Sequence, residues 1–272
     1  MKKYWHLVFI SLRDYQLTIK IFNTFNKYFE TIPAITDNLK NEAYKLRYLV
    51  YCVENTFEKA DHYPDGMEFD KHDQQSIQYL ILHRKSGDFV ATVRLILPDT
   101  NNPNYLLPLE QHCEIDHIPL LQQIDRKHLA EVSRFCISKS FKRRRIEADN
   151  SRQNLTDPKI NSTRDEKKTF PFITIALIAC IIKASHENNI EHWFAVMDRS
   201  LIRFLSKIGI NFIKIGPMVD YHGLRWPTAI KITDLLDSVA EKNIGIWEFL
   251  TSNGGLFETP TSITTKSVDT ET

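Results

Sequence analysis

Apolar positions in this chain recur with two periods, three to four residues in some stretches and two in others. From Thr36 or Asp37, either of which suits a helix cap, Ala43, Leu46, Leu49, Val50 and Val53 fall three and four apart and predict a helix. Residues 17–29 carry an interrupted version of the same spacing. Residues 78–82 and 89–97 read as strands joined around Ser86-Gly87-Asp88, a hairpin. Residues 129–138 read as a further strand. An apolar helix with Pro171 in its first turn then runs to about Asn188. Beyond it stand a strand at 193–197, a helix at 198–207 stopped by Gly209, strands at 212–215 and 228–232, and two short helices. This order predicts an α/β fold, a three-layer sandwich with a mixed central sheet. One domain is expected over residues 1–258, with 142–169 as a mobile polar insertion and 259–272 as a disordered tail.

With 272 residues, 42% of them hydrophobic and 25% charged, the chain has ample material for a core. A formal net charge of +1 favours neither nucleic acid nor membrane, so a charged partner must be met by a local patch. Cys52, Cys113, Cys136 and Cys180 are widely spaced and read as thiols of a reducing compartment, not a disulfide framework. The apolar run near Met1 is cut short by Arg13 and Asp14, with no cleavage site after it. Residues 170–182 are too few to span a bilayer. A cytoplasmic protein without stable membrane insertion is expected. His112, Cys113, His117 and His128 crowd one loop in a spacing that matches no common zinc pattern, so no metal is expected.

Three otherwise core-like segments carry charges. They are Glu68-Phe69-Asp70-Lys71-His72-Asp73, Val93-Arg94-Leu95 and Glu131-Val132-Ser133-Arg134-Phe135. Burying an ionised group costs several kcal/mol, on the order of what a whole fold can spare, unless it is paired; repeated use points to a site.

Taken with Leu46-Arg47-Tyr48-Leu49-Val50-Tyr51, these motifs stand in the order found in the acyl-homoserine-lactone (autoinducer) synthases, which the chain resembles. Those enzymes belong to the GCN5-related N-acyltransferase superfamily. Leu46 to Glu54 and the approach Asp65-Gly66-Met67-Glu68 resemble more closely the acyltransferases associated with the PEP-CTERM/exosortase system. The likeness covers roughly residues 20 to 235. It implies a GCN5-related N-acyltransferase-like fold and transfer of a medium or long acyl group to the amine of a small metabolite or amino acid. The donor is a thioester of acyl carrier protein or coenzyme A, and no cofactor is bound permanently.

In that reading Glu131, with Ser133 and Arg134, forms the catalytic set, Glu131 as general base. Pairing with Arg134 or Arg94 is the other reading of Glu131. Backbone N–H groups where two parallel strands splay at a bulge, from Phe135 on, would hold the oxyanion. Arg47, Tyr51, Phe57, Glu68, Asp70, Asp73, Arg94 and Phe135 would bind the amine substrate, with a structural ion-pair network as the alternative. Tyr51 and Phe57 stand where the synthases often carry Phe and Trp, which argues mildly against S-adenosylmethionine as the amine. Where coenzyme A users have a glycine-rich loop, this chain has Lys142-Arg143-Arg144-Arg145, and no glycine until Gly209. The basic run suits the acidic surface of an acyl carrier protein. Two alternatives stay open: a lactone synthase using S-adenosylmethionine, and a catalytically silent acyl-binding module.

Overall fold

The computed structural model describes residues 22–23, 25–102, 104–116, 119–122, 124–139, 141 and 160–258. The basic run 142–145, most of the polar insertion and the tail from 259 lie outside the described residues. By its internal contacts the chain divides into two units. One holds residues 21–95 and 134–180; the other holds 96–133 and the chain from 181 on.

In the first unit the helical spacing predicted up to residue 29 stops one residue early. Phe29–Pro33 is a strand (β1), antiparallel to β2, Ser76–His83, from Phe29 opposite His83 to Pro33 opposite Tyr79. Pro33 has no N–H to give a ladder, which an edge strand tolerates at its end. Thr36 is extended (ψ 154°) and its hydroxyl accepts the Leu39 N–H at 3.3 Å, starting helix α1, Asp37–Tyr48. The periodicity that predicts one helix to Val53 is completed by a wider π-helical turn, Leu49–Glu54. Ala43, Leu46, Val50 and Tyr51 pack there with Ala34, Leu80 and Cys136. The hairpin forms as predicted. Gly87, at φ 73°, turns the chain from β2 into β3, Asp88–Ile96, and donates to the His83 carbonyl at 2.9 Å.

The second unit holds the first part of β4 (Leu129–Ile137), up to Ser133, and β5, His192–Met197; the two run parallel from Leu129 opposite His192 to Val132 opposite Ala195. β5 pairs antiparallel with β8, Leu224–Lys231, which also pairs with the two-residue strands β6, Ile213–Lys214, and β7, Val219–Asp220. Within the first unit the strands stand in the order β1-β2-β3, and within the second in the order β4-β5-β8-β6. The core under β4 and β5 joins Ile96, Leu107, Leu109, Leu129, Phe194, Ile215 and Ala229. Asp198 caps the helix Arg199–Lys207 by accepting from Ser200 and Leu201 at 2.7 and 3.0 Å. Gly209 ends it at φ 98°, where a Cβ would stand 2.8 Å from the Ser238 carbonyl.

One predicted boundary is wrong. The long helix is Ile160–Glu187, so Pro171 lies inside it, and residues 160–169 of the supposed insertion are helical. A proline removes one hydrogen bond and crowds one carbonyl, which a helix of 28 residues absorbs when it continues on both sides. The result is the mixed α/β class expected, an open mixed sheet flanked by helices. Cys52, Cys136 and Cys180 are buried and all four cysteines are free thiols. Among the described residues no helix is long and apolar enough to cross a membrane. No group of three or more His, Cys, Asp or Glu is placed among them to hold a metal.

Candidate functional site

The charged segments of the first unit converge on one cluster. Arg47 lies on the buried face of α1 beside Ala43 and Leu46. The loop that follows turns at Gly66, at φ 66°, and the Glu68 N–H bonds the Tyr44 carbonyl at 3.0 Å, pinning the loop to the helix. Asp70 caps a short 3-10 helix, Lys71–Gln75, by accepting from His72 N–H at 2.8 Å, while Asp73 accepts the Asp70 N–H at 2.7 Å. This reciprocal cap orients both carboxylates. Arg94 comes from β3 and Arg134 from β4.

Each guanidinium is held by two carboxylates. Arg47 gives Nε to Glu68 at 2.6 Å and both terminal nitrogens to Asp73 at 2.6 and 3.1 Å. Arg94 gives Nη1 to Asp70 at 2.7 Å and to Asp73 at 3.0 Å. Arg134 grips Glu68 from Nε at 3.1 and 3.2 Å and from Nη2 at 2.9 Å, and reaches Asp70 at 3.3 Å. Gln78 adds a hydrogen bond to Asp73 at 3.0 Å. The cations also lie over rings, Arg134 above Tyr51 at 5.2 Å and Arg47 above Tyr44 at 5.3 Å. Phe57 packs against Tyr51, with ring centres 6.1 Å apart.

Three cations and three anions thus close on one another. Burial alone would raise the Glu68 carboxyl; the Arg47 and Arg134 guanidiniums override it and hold it at about 2. Asp73, likewise buried, is held at about 2 by Arg47 and Arg94, and Asp70 is lowered against its own burial by Arg94. Burial works against the Arg134 cation, yet Glu68 keeps it charged far above neutral pH. Exposure separates the members: the side chains of Arg47, Glu68, Asp73 and Arg94 are at most 4% exposed, whereas Asp70 is 26% and Arg134 10% exposed. Arg47, Glu68, Asp73 and Arg94 are therefore the closed floor of the cluster, and Asp70 and Arg134 its open edge.

The second unit places Glu131 on the first half of β4, 4% exposed, where its Oε2 accepts the Leu109 N–H at 2.7 Å. Nearby Glu110 accepts the Leu107 N–H and takes Arg126 in a fork at 2.6 and 2.9 Å. Ser133 and Phe135 are half-buried. Cys136 is core filler, its thiol pushed up to about 12 by burial. Sequence reasoning missed Gln78, Tyr44 and Glu54. Glu54 accepts from the Ser138 hydroxyl at 2.9 Å and the Lys139 N–H at 2.8 Å. Gln78, a polar residue that the sequence reading already put on a strand, was the available signal.

Residues 46–149 match the acetyltransferase (GNAT) domain family, a stretch that includes the six charged residues of the cluster and Glu131. The fold is similar to that of the AHL synthase LasI, with a TM-score of 0.52 at 16% identity over 86% of this chain and 98% of that one. It is also similar to TofI, solved in a ternary complex with an inhibitor and MTA, with a TM-score of 0.51 at 17% identity over 79% and 95%. FeeM, an N-acyl amino acid synthase from uncultured soil microbes, aligns at a TM-score of 0.47 and 12% identity over 77% and 93%. At such identities the first two likenesses establish the fold alone. Comparison with curated protein sequences gives no match. The domain match and the fold together support an enzyme of the N-acyltransferase type.

Proposed function

We propose that this chain moves a medium or long acyl group from the thioester of an acyl carrier protein to the amine of a small zwitterion such as an amino acid. The observation that carries the reading is the open edge of the cluster. Asp70 and Arg134, one anion and one cation 3.3 Å apart, are the members of the cluster most open to solvent. That pair complements the ammonium and carboxylate of a zwitterion, and the neutral floor beneath it adds no net charge to be offset.

In the reaction the amine must lose a proton before it attacks. Glu131 takes that proton, directly or through water. The amine nitrogen then bonds to the thioester carbon, and backbone N–H groups of β4 beyond Val132 receive the oxyanion. The C–S bond breaks as the carbonyl re-forms, and the leaving thiolate takes up the second proton, which the nitrogen sheds as it becomes an amide. Selectivity for chain length would come from apolar burial of the acyl group, each buried methylene contributing about 0.8 kcal/mol. A second reading has a specific observation in its favour. Tyr51 beneath Arg134, with Phe57 against it, keeps an aromatic wall for S-adenosylmethionine as the amine, even though Tyr and Phe stand where the synthases often carry Phe and Trp.

The test is mass spectrometry of products formed by the purified chain from acyl carrier protein loaded with medium and long chains, offered amino acids or S-adenosylmethionine. An N-acyl amino acid supports the proposal, and a lactone supports the second reading. No product from any pairing retires both and leaves the silent acyl-binding module. With product in hand, Glu131→Gln should lower transfer by roughly a hundredfold, with recovery as pH is raised. Near-native turnover at neutral pH would take Glu131 out of the reaction.

A further inference from the structure

Arg134 has a φ of 49°, in the left-handed region, in the middle of β4. A long side chain is strained there, and nothing in the local sequence asks for the conformation. The break falls two residues beyond Val132, where the parallel pairing with β5 ends among the described residues.

The hold on this conformation is at the other end of the side chain. Among the described residues, three of its four carboxylate contacts, at 2.9, 3.1 and 3.2 Å, go to Glu68; the fourth and longest, 3.3 Å, goes to the partly exposed Asp70. Glu68 has no freedom to follow Arg134. It is fully buried, its Oε2 also takes Arg47 Nε at 2.6 Å, and its own N–H is bonded to the Tyr44 carbonyl at 3.0 Å. Arg47 in turn is fixed by α1 and by Asp73. The grip on Arg134 is thus carried through Glu68 to a helix.

We infer that Glu68 is a positioning residue: acting through Arg134, it holds the left-handed break in β4 and so sets the direction of the backbone amides that follow. The inference rests on the proposed acyl transfer for its consequence, since those amides are the oxyanion donors, but the grip itself is independent of any activity. Glu68 touches no reacting atom. Its charge is required and its reach improves the hold, because a neutral side chain does not bind two guanidiniums and a shorter carboxylate meets them with poorer geometry.

Crystal structures of Glu68→Gln and Arg134→Lys test the grip. In both, residue 134 should return to an extended, negative φ. Melting temperatures add a measurement that survives if Glu68→Gln fails to fold: both Arg134→Ala and Arg134→Gly lose the grip and return to an extended backbone, so the alanine form should melt about 1–4 °C above the glycine form, glycine being the poorer strand residue. For catalysis, Glu68→Gln should lower kcat by about tenfold or more while the KM for the amine changes by less than about threefold, with Glu68→Asp restoring part of kcat. A φ that stays positive in the variants, or a glycine form that melts as high as the alanine form or higher, overturns the grip. A raised KM with unchanged kcat overturns positioning and makes Glu68 a binding group. If the wild-type chain transfers no acyl group at all, the proposed function falls, while φ and melting still decide whether Glu68 holds the break.

Discussion

Arg47 and Asp70 belong to one cluster and do different work in it. Arg47 is fully buried and is the main cation for both Glu68 and Asp73. Arg47→Ala should lower stability by about 3–5 kcal/mol, because two carboxylates are left buried with too little positive charge. A denaturant midpoint close to wild type would show that the floor tolerates the loss. Asp70 sits at the open edge, where 26% of its side chain reaches solvent and its pairing with Arg94 is partly replaceable by water. Asp70→Ala should therefore raise the KM for the amine more than the KM for the acyl donor. A lower melting temperature with both constants unchanged would return Asp70 to the scaffold.

At the scale of elements, α1 and the π-helical turn after it set the register of the cluster. Arg47 lies in the last turn of α1, and the wider turn Leu49–Glu54 carries Tyr51 under Arg134. The helix is started by Thr36, whose hydroxyl takes an N–H that has no partner within the helix. Thr36→Ala should cost about 1 kcal/mol in urea unfolding, with little change in the slope of the transition. Thr36→Asp should keep most of that stability, since a carboxylate caps as well and suits the helix dipole. Equal loss for both substitutions would mean that the side chain at 36 does not cap.

Across the whole molecule, acid should act in two stages. His72 and His192 are lowered below their ordinary 6.5 by burial, and the His192 Nδ1 has no hydrogen-bond partner among the described residues. The unfolded chain takes up those protons first, so stability begins to fall as pH drops below about 6.5. The depressed carboxyls of Glu68, Asp70 and Asp73 contribute stability that is fully present above the ordinary carboxylate range. It is lost as pH falls towards about 2, where Glu68 and Asp73 protonate in the folded state. Melting temperature followed from pH 8 downward should be level, then decline gently, then steeply below about pH 4. A level curve down to about pH 3 would remove the cluster from the stability of the fold. The basic run, Lys142, Arg143, Arg144 and Arg145, belongs to this scale as well, since its proposed role is to meet a partner. Reversing the four charges to glutamate should weaken use of acyl carrier protein and spare a short acyl-pantetheine mimic. Wild-type turnover with the carrier should fall as salt rises. Equal losses with both donors would exclude the run as a docking site.

The sequence by itself determined what depends on near neighbours. Thr36 as a cap, the hairpin at Gly87 and the stop at Gly209 follow from preferences spanning a few residues. So does the α/β class. Which charged residues gather was also readable, because ions in core-like strands must find partners. How they are wired was not. Glu68 and Arg134 are 66 residues apart, and Glu54 and Ser138 are 84 apart, so no local signal says who holds whom or who stays open to solvent. Phe29–Pro33 escaped notice because five residues ending in proline make a strand only when β2 supplies the ladder. Arg134 is the clearest case: its own preferences favour an extended strand, and only the buried carboxylate at Glu68, fixed by a distant helix, can hold a strained backbone against them.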